Sequence, residues 1–111
     1  MLTIENLRAF GADVDTGLGR CFGNEDFYLQ LANMIKDEQN FDKLAKAIED
    51  HDLKSAFEAA HALKGVLGNL SITPIYDPIY EITELLRAET EMDYQPLLQE
   101  ILTKKEEFCA L

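Results

Sequence analysis

The apolar positions of this chain recur at helical spacing along most of its length, and no β-hairpin signal interrupts them. The clearest run is Leu53, Ala56, Phe57, Ala60, Leu63, Leu67 and Leu70. At about 100° per residue these fall on one stripe, which predicts an amphipathic helix starting at Leu53 with Asp52 as its N-cap. Upstream, Phe27, Leu31, Met34 and Ile35 repeat in the same way, and Phe41, Leu44, Ala45 and Ile48 resume the pattern. Asp37, Glu38, Gln39 and Asn40 interrupt it, so the expectation is one long helix or two collinear ones with a break near Asn40. Asn24 is placed to cap this segment, and Glu25 and Asp26 favour the positive end of its dipole.

Downstream, Thr73 followed by Pro74 predicts an N-cap with proline at the first helical position. Ile75, Ile79, Ile82 and Leu86 form the apolar face, and Pro78 predicts a kink or a loosened first turn. Ala88 to Met92 ends that helix without a glycine. Asp93 caps a last helix with Pro96 in its first turn and Tyr94, Leu97, Leu98, Ile101, Leu102 and Phe108 on its apolar face. Residues 1–23 are less regular. A short apolar segment ends at Gly11, and Val14, Leu18, Cys21 and Phe22 line one face of a brief helix capped by Asp13. The expected fold is all-α: an antiparallel up-down four-helix bundle with a short N-terminal helical lead-in.

Composition narrows the setting. A chain of 111 residues, 47% of them hydrophobic, is one domain's worth, so residues 1–111 are expected to form a single helical domain. Its two cysteines are too few for a disulfide scaffold. Nothing resembles a secretory signal, and no apolar run approaches a membrane span, which together point to a soluble cytoplasmic protein. The net charge of −11 argues against nucleic acid or an anionic membrane as partner. It suits a protein partner with a basic face, although solubility alone accounts for such a surface.

A second stripe lies beside the first. His61, Lys64, Gly65 and Gly68 stand at i, i+3, i+4 and i+7 of the helix that starts at Leu53. Each glycine costs such a helix about 1 kcal/mol relative to alanine. Two explanations remain open on the pattern alone. The glycines clear space beside an exposed imidazole so that another macromolecule can approach, or they let a neighbouring helix pack closely. His51 reads as a solvated turn residue. A metal site pairing His51 with His61 does not match the short His spacings of zinc sites, and no Cys or His cluster completes one.

His61-x-x-Lys64-Gly65 followed by Gly68-Asn69-Leu70 resembles the core motif of histidine-containing phosphotransfer (HPt) domains. The lead-in Gly11-x-Asp13-Val14-x-x-Gly17-Leu18-x-x-Cys21-x-Gly23 is similar to that of many members, and the likeness covers roughly residues 12–110. The resemblance implies a passive phosphocarrier of a two-component phosphorelay. His61 would accept a phosphoryl group from a receiver-domain aspartate or a kinase and pass it to another receiver domain. Lys64 would offset the phosphoryl charge, with Gly65 and Gly68 leaving room for the partner. The family implies no cofactor of its own, the Mg²⁺ being expected on the receiver domain, and mostly monomeric members. Partners would be receiver domains of response regulators or hybrid sensor kinases.

The sequence has no P-loop and no protein-kinase signature set, and Ala62 follows His61 where sensor kinases carry an acidic residue. In the family a polar side chain on a neighbouring helix often orients the imidazole; Gln30, Asn33, Lys36 and Gln39 are candidates here. Leu67 replaces a residue that is often small and reads as a packing variation, and Ser71 stands where glycine is common. The alternative is a helical docking bundle that binds a receiver domain or kinase without being phosphorylated.

Overall fold

A computed structural model describes all 111 residues. It holds seven α-helices: α1 (Ile4–Phe10), α2 (Val14–Arg20), α3 (Glu25–Met34), α4 (Asn40–Glu49), α5 (Leu53–Leu70), α6 (Thr73–Arg87) and α7 (Gln95–Cys109). A single 3₁₀ turn, Ile35–Asp37, follows α3. α5 runs between α4 and α6, with α2 and α3 across it; α6 packs on α7, which returns to α4 and the 3₁₀ turn. The helices enclose one cluster of 27 buried apolar residues. Six of α5's residues are buried, Ala56, Ala59, Ala60, Leu63, Leu67 and Leu70, which makes it the axis of the bundle.

Local chemistry explains most of the element starts. The Asp13, Asn24 and Asp52 side chains accept from the backbone N–H groups of Thr16, Phe27 and Ser55. The Asp52 carboxylate also accepts from the Ser55 hydroxyl at 2.7 Å, and these bonds hold its pKa below the usual aspartate value. α1 begins with a reciprocal capping box: Asn6 N–H donates to the Thr3 hydroxyl, and Thr3 N–H donates to the Asn6 side-chain oxygen. Gly11, at φ 110°, ends it. The lead-in is therefore two helices where the pattern suggested one.

The end of α5 is the most heavily tied point in the chain. Ser71 takes a left-handed conformation, φ 55° and ψ 43°. Its N–H donates to the Gly68 carbonyl, and the Ile72 N–H reaches back to the Leu67 carbonyl at 3.0 Å, a Schellman closure with serine in glycine's place. Ile72 and Leu67, the residues that close the motif, are both fully buried. The next carbonyls are satisfied from the N-terminal segment. The Tyr28 hydroxyl donates to the Leu70 carbonyl at 2.8 Å, and the Asp13 N–H donates to the Ser71 carbonyl at 2.9 Å. The Arg20 guanidinium donates to the Gly68 carbonyl and, at 3.0 Å, to the Ser71 hydroxyl. Gly17 makes this approach possible: a Cβ there would stand 2.5 Å from Tyr28 Cε1 and 2.6 Å from the Leu70 carbonyl oxygen.

Several expectations are corrected. The segment from Glu25 is two helices with the break just before Asn40, the second of the two expected arrangements, and the break is wider than the pattern suggested because Ile35–Asp37 tightens to 3₁₀ and Glu38 is extended. The Glu38 carboxylate then accepts from the Asn40 backbone and side chain, restarting the helix. The buried face of α3 is Tyr28 and Ala32, continued by Ile35 of the 3₁₀ turn, while Phe27 and Met34 are exposed. The bond from Tyr28 to Leu70 fixes the helix in that rotation. Phe22 does not line the inner face of α2; at φ 58° it projects into solvent, 96% exposed. Thr73 is the first residue of α6 and not its cap, since buried Ile72 docks there and the Thr73 hydroxyl turns back to the Ser71 carbonyl. Asp93 accepts from Gln95 N–H one residue ahead of the expected position, with Tyr94 as the cap residue. α6 stays continuous through Pro78, which is buried within it.

Gly17→Ala is expected to lower stability by roughly 1–3 kcal/mol through overpacking against a backbone oxygen that cannot turn aside. A urea titration followed by circular dichroism reads it. Burial pushes the Tyr28 hydroxyl up to about 12. Up to the ordinary tyrosine value near 10 its contribution to stability is whole. Between there and about 12 the folded chain keeps a proton that the unfolded chain has released, so stability falls as pH rises through that window. Tyr28→Phe should remove this part of the alkaline decline in a pH series of unfolding curves.

Candidate functional site

The second stripe of α5 comes to the surface as one site. His61, Lys64, Gly65 and Gly68 all line a single open cavity of about 610 Å³, joined by Asp13, Thr16 and Arg20 from the N-terminal segment and by Tyr76 and Asp77 from α6. His61 is exposed, two turns into the middle of a helix whose opposite face is core. Its ring stacks on Phe57, one turn earlier on α5, with centroids 5.6 Å apart and planes 22° from parallel. The Arg87 guanidinium from α6 sits 5.0 Å from the centroid of the same Phe57 ring. The imidazole is thus held from the N-terminal side by an aromatic contact, and its outer side faces the cavity.

None of Gln30, Asn33, Lys36 and Gln39 lines this cavity. Asn33 spends its amide on the Leu29 carbonyl of its own helix, at 3.1 Å. The ring that does contact His61, Phe57, belongs to the apolar stripe and is half-buried. Its spacing of four residues from His61 is visible in the sequence, but its position among core residues masks it.

The two glycines separate into two cases. A Cβ added at Gly65 would meet nothing within 4 Å, so packing asks nothing of that position. A Cβ at Gly68 would stand 3.0 Å from Tyr76 Cε1, so Gly68 admits a ring from α6. Close packing therefore accounts for Gly68 and not for Gly65, where the space beside the imidazole is open.

Two cations border the cavity, Lys64 and Arg20. The Lys64 ammonium lies over the Tyr80 ring, 5.0 Å from its centroid, and Lys64 takes part in none of the chain's four ion pairs. Its charge is therefore not neutralised by a carboxylate. Arg20 is committed to the Gly68 carbonyl and Ser71, well along α5 from His61. It joins the site only through folding and leaves no local mark in the sequence. Ser71 does more than end a helix, since its hydroxyl accepts from Arg20. No group of three or more His, Cys, Asp or Glu side chains is placed to hold a metal ion. An exposed imidazole with a free ammonium one turn away and open space between them can accept and hold a small anionic group.

Among known protein families, the Hpt domain matches residues 31–110. No curated protein and no solved structure matches the chain.

Gly65→Ala is expected to stabilise the fold by roughly 0.5–1 kcal/mol, since it gains helix propensity and meets no obstacle. Gly68→Ala should not share that gain, because Tyr76 must give way. Paired denaturation curves for the two variants test the distinction; equal stabilisation would mean Gly68 is as unconstrained as Gly65.

Proposed function

The chain belongs to the Hpt domain family, and we propose that it is a phosphocarrier whose phosphoryl acceptor and donor is His61. Phosphotransfer in two-component signalling is the work of this family, and its members are carriers that rely on receiver domains for most of the catalysis. The observation that carries the assignment of the residue is the empty space at Gly65. A helix-weakening residue stands where the fold has no use for it, directly beside an outward-facing imidazole.

The reaction is a simple displacement. A neutral ring nitrogen of His61 attacks the phosphorus of a receiver-domain aspartyl phosphate; the N–P bond forms, the P–O bond to the carboxyl group breaks, and the aspartate leaves with the electron pair. Return or onward transfer reverses these roles. Lys64 offsets the charge on the transferred group, and the partner supplies Mg²⁺. His61 sits too far from the start of α5 for the helix dipole to help. Orientation by Phe57 and the charge of Lys64 are this chain's contribution.

The partner would lie across the cavity and the apolar surface next to it. A groove of about 630 Å³, lined by Leu31, Met34, Ile35, Val66 and Leu70 among others, adjoins the His61 cavity at Asn69, which borders both. Met34, on the rim of this groove, stands exposed. These features support docking of a receiver domain from a response regulator or a hybrid sensor kinase. α3 to α7 would supply the antiparallel four-helix frame, with α3 and α4 together forming one member. No helix is long and apolar enough to cross a membrane, and the reading makes the protein a cytoplasmic monomer, a single domain over residues 1–111.

The test is incubation with a phosphorylated receiver domain and Mg²⁺. The expected product is a phosphoryl adduct stable in base and labile in acid, absent from His61→Gln. Lys64→Ala should slow its formation roughly ten-fold or more, as loss of a contact to a charged group implies, without loss of helical signal. An adduct that persists in His61→Gln would move the site elsewhere.

A further inference from the structure

Resting on that reading, in which the Lys64 charge meets the transferred group, we infer that Tyr80 is a positioning residue that holds Lys64 in place through a ladder of rings seated on Gly68. The contacts run in sequence from helix to ammonium. The Tyr76 ring presses on α5 where Gly68 lacks a side chain, at 3.0 Å and 3.5 Å from the position a Cβ would take. Tyr76 and Tyr80 are one turn apart on α6, with ring centroids 6.1 Å apart and planes tilted by 34°. Tyr80 in turn carries the Lys64 ammonium 5.0 Å from its centroid.

Core packing does not explain Tyr80, which is 47% exposed. The ring gives Lys64 something an acidic neighbour would not. A lysine stem is flexible, and a carboxylate partner would fix it only by neutralising the charge that the phosphoryl group needs. An aromatic face attracts the ammonium through its quadrupole and leaves the full positive charge available. Asp77 borders the cavity on the same helix yet forms no ion pair with Lys64. The ammonium is thus oriented in advance, and less ordering remains to be done as the phosphoryl group arrives. Gly68 then acts on Lys64 from two rings away: a side chain there would displace Tyr76 and the ladder with it.

The experiment combines NMR with transfer kinetics on the full chain. In the wild-type protein the Lys64 ε-methylene protons should show an upfield ring-current shift, lost in Tyr80→Leu and retained in Tyr80→Phe. With a phosphorylated receiver domain as donor, Tyr80→Leu should lower the maximal rate of His61 labelling roughly two- to five-fold, the rate equivalent of an ammonium's attraction to an exposed ring. The half-saturating donor concentration should stay unchanged, and Tyr80→Phe should transfer near the wild-type rate. In a Lys64→Ala background, Tyr80→Leu should cost nothing further. Unshifted Lys64 protons in the wild type would overturn the inference, as would equal slowing in both backgrounds, which would make Tyr80 a docking contact. With labelling intact, either result removes only the role of Tyr80. A wild-type protein that takes no label on His61 removes the phosphocarrier reading itself.

Discussion

Satisfaction of the carbonyl groups at the end of α5 is the constraint on which the rest of the molecule turns. A helix end buried in a bundle must find donors for its last carbonyls, since an unpartnered one costs about as much as a lost hydrogen bond. Here the donors come from a serine forced into left-handed geometry, a tyrosine hydroxyl on α3, an arginine on α2 and the backbone N–H of Asp13. The two short N-terminal helices have too little apolar surface to fold alone. The placement of α2 follows from this clamp and from the contact that Gly17 permits, whereas α1 rests on the end of α7 through Phe10 and Phe108. Because the far end of α5 is anchored by the Asp52 cap, the helix that bears His61 is fixed at both ends. An imidazole in the middle of such a helix is set by the fold and not by a loop.

The division of labour around α5 follows from that rigidity. One face is core, with Leu63 and Leu67 wholly buried. The other carries the His61 ring supported by Phe57 and the Lys64 ammonium supported by Tyr80, both contacts being to aromatic faces. Such contacts tolerate exposure to water, demand no exact donor geometry and leave polar atoms free for an incoming group. Lys64 has its seat over the Tyr80 ring, which holds the ammonium without a carboxylate partner.

Much of this was legible in the sequence, and the boundary is physical. The apolar stripe of α5 predicted five of its six buried residues, missing Ala59 and including Leu53 and Phe57, which are half-buried, and Ile75, Ile79, Ile82 and Leu86 of α6 are all buried as their spacing required. The Asp13, Asn24 and Asp52 caps were readable because capping is a three-residue interaction. The convergence of His61, Lys64, Gly65 and Gly68 on one surface was readable because a single helix carries all four. What failed was long-range. The rotation of α3 is set by a bond from Tyr28 to a carbonyl 42 residues away, and against it the apolar stripe of Phe27 and Met34 carries no weight. Arg20 reaches Gly68 across 48 residues, and nothing in its neighbourhood announces that. The Thr3–Asn6 box was local yet missed, because asparagine in place of the usual glutamate or glutamine hides the motif.

The vacancy beside Gly65 has an evolutionary implication. Replacement by alanine would make the molecule sturdier, so selection for robustness alone drives that position away from glycine. On the proposed reading, engagement with a partner is what holds it. In a lineage where the imidazole has fallen out of use, this residue is free to drift before the core does, and its identity then serves as a gauge of whether the surface is still employed.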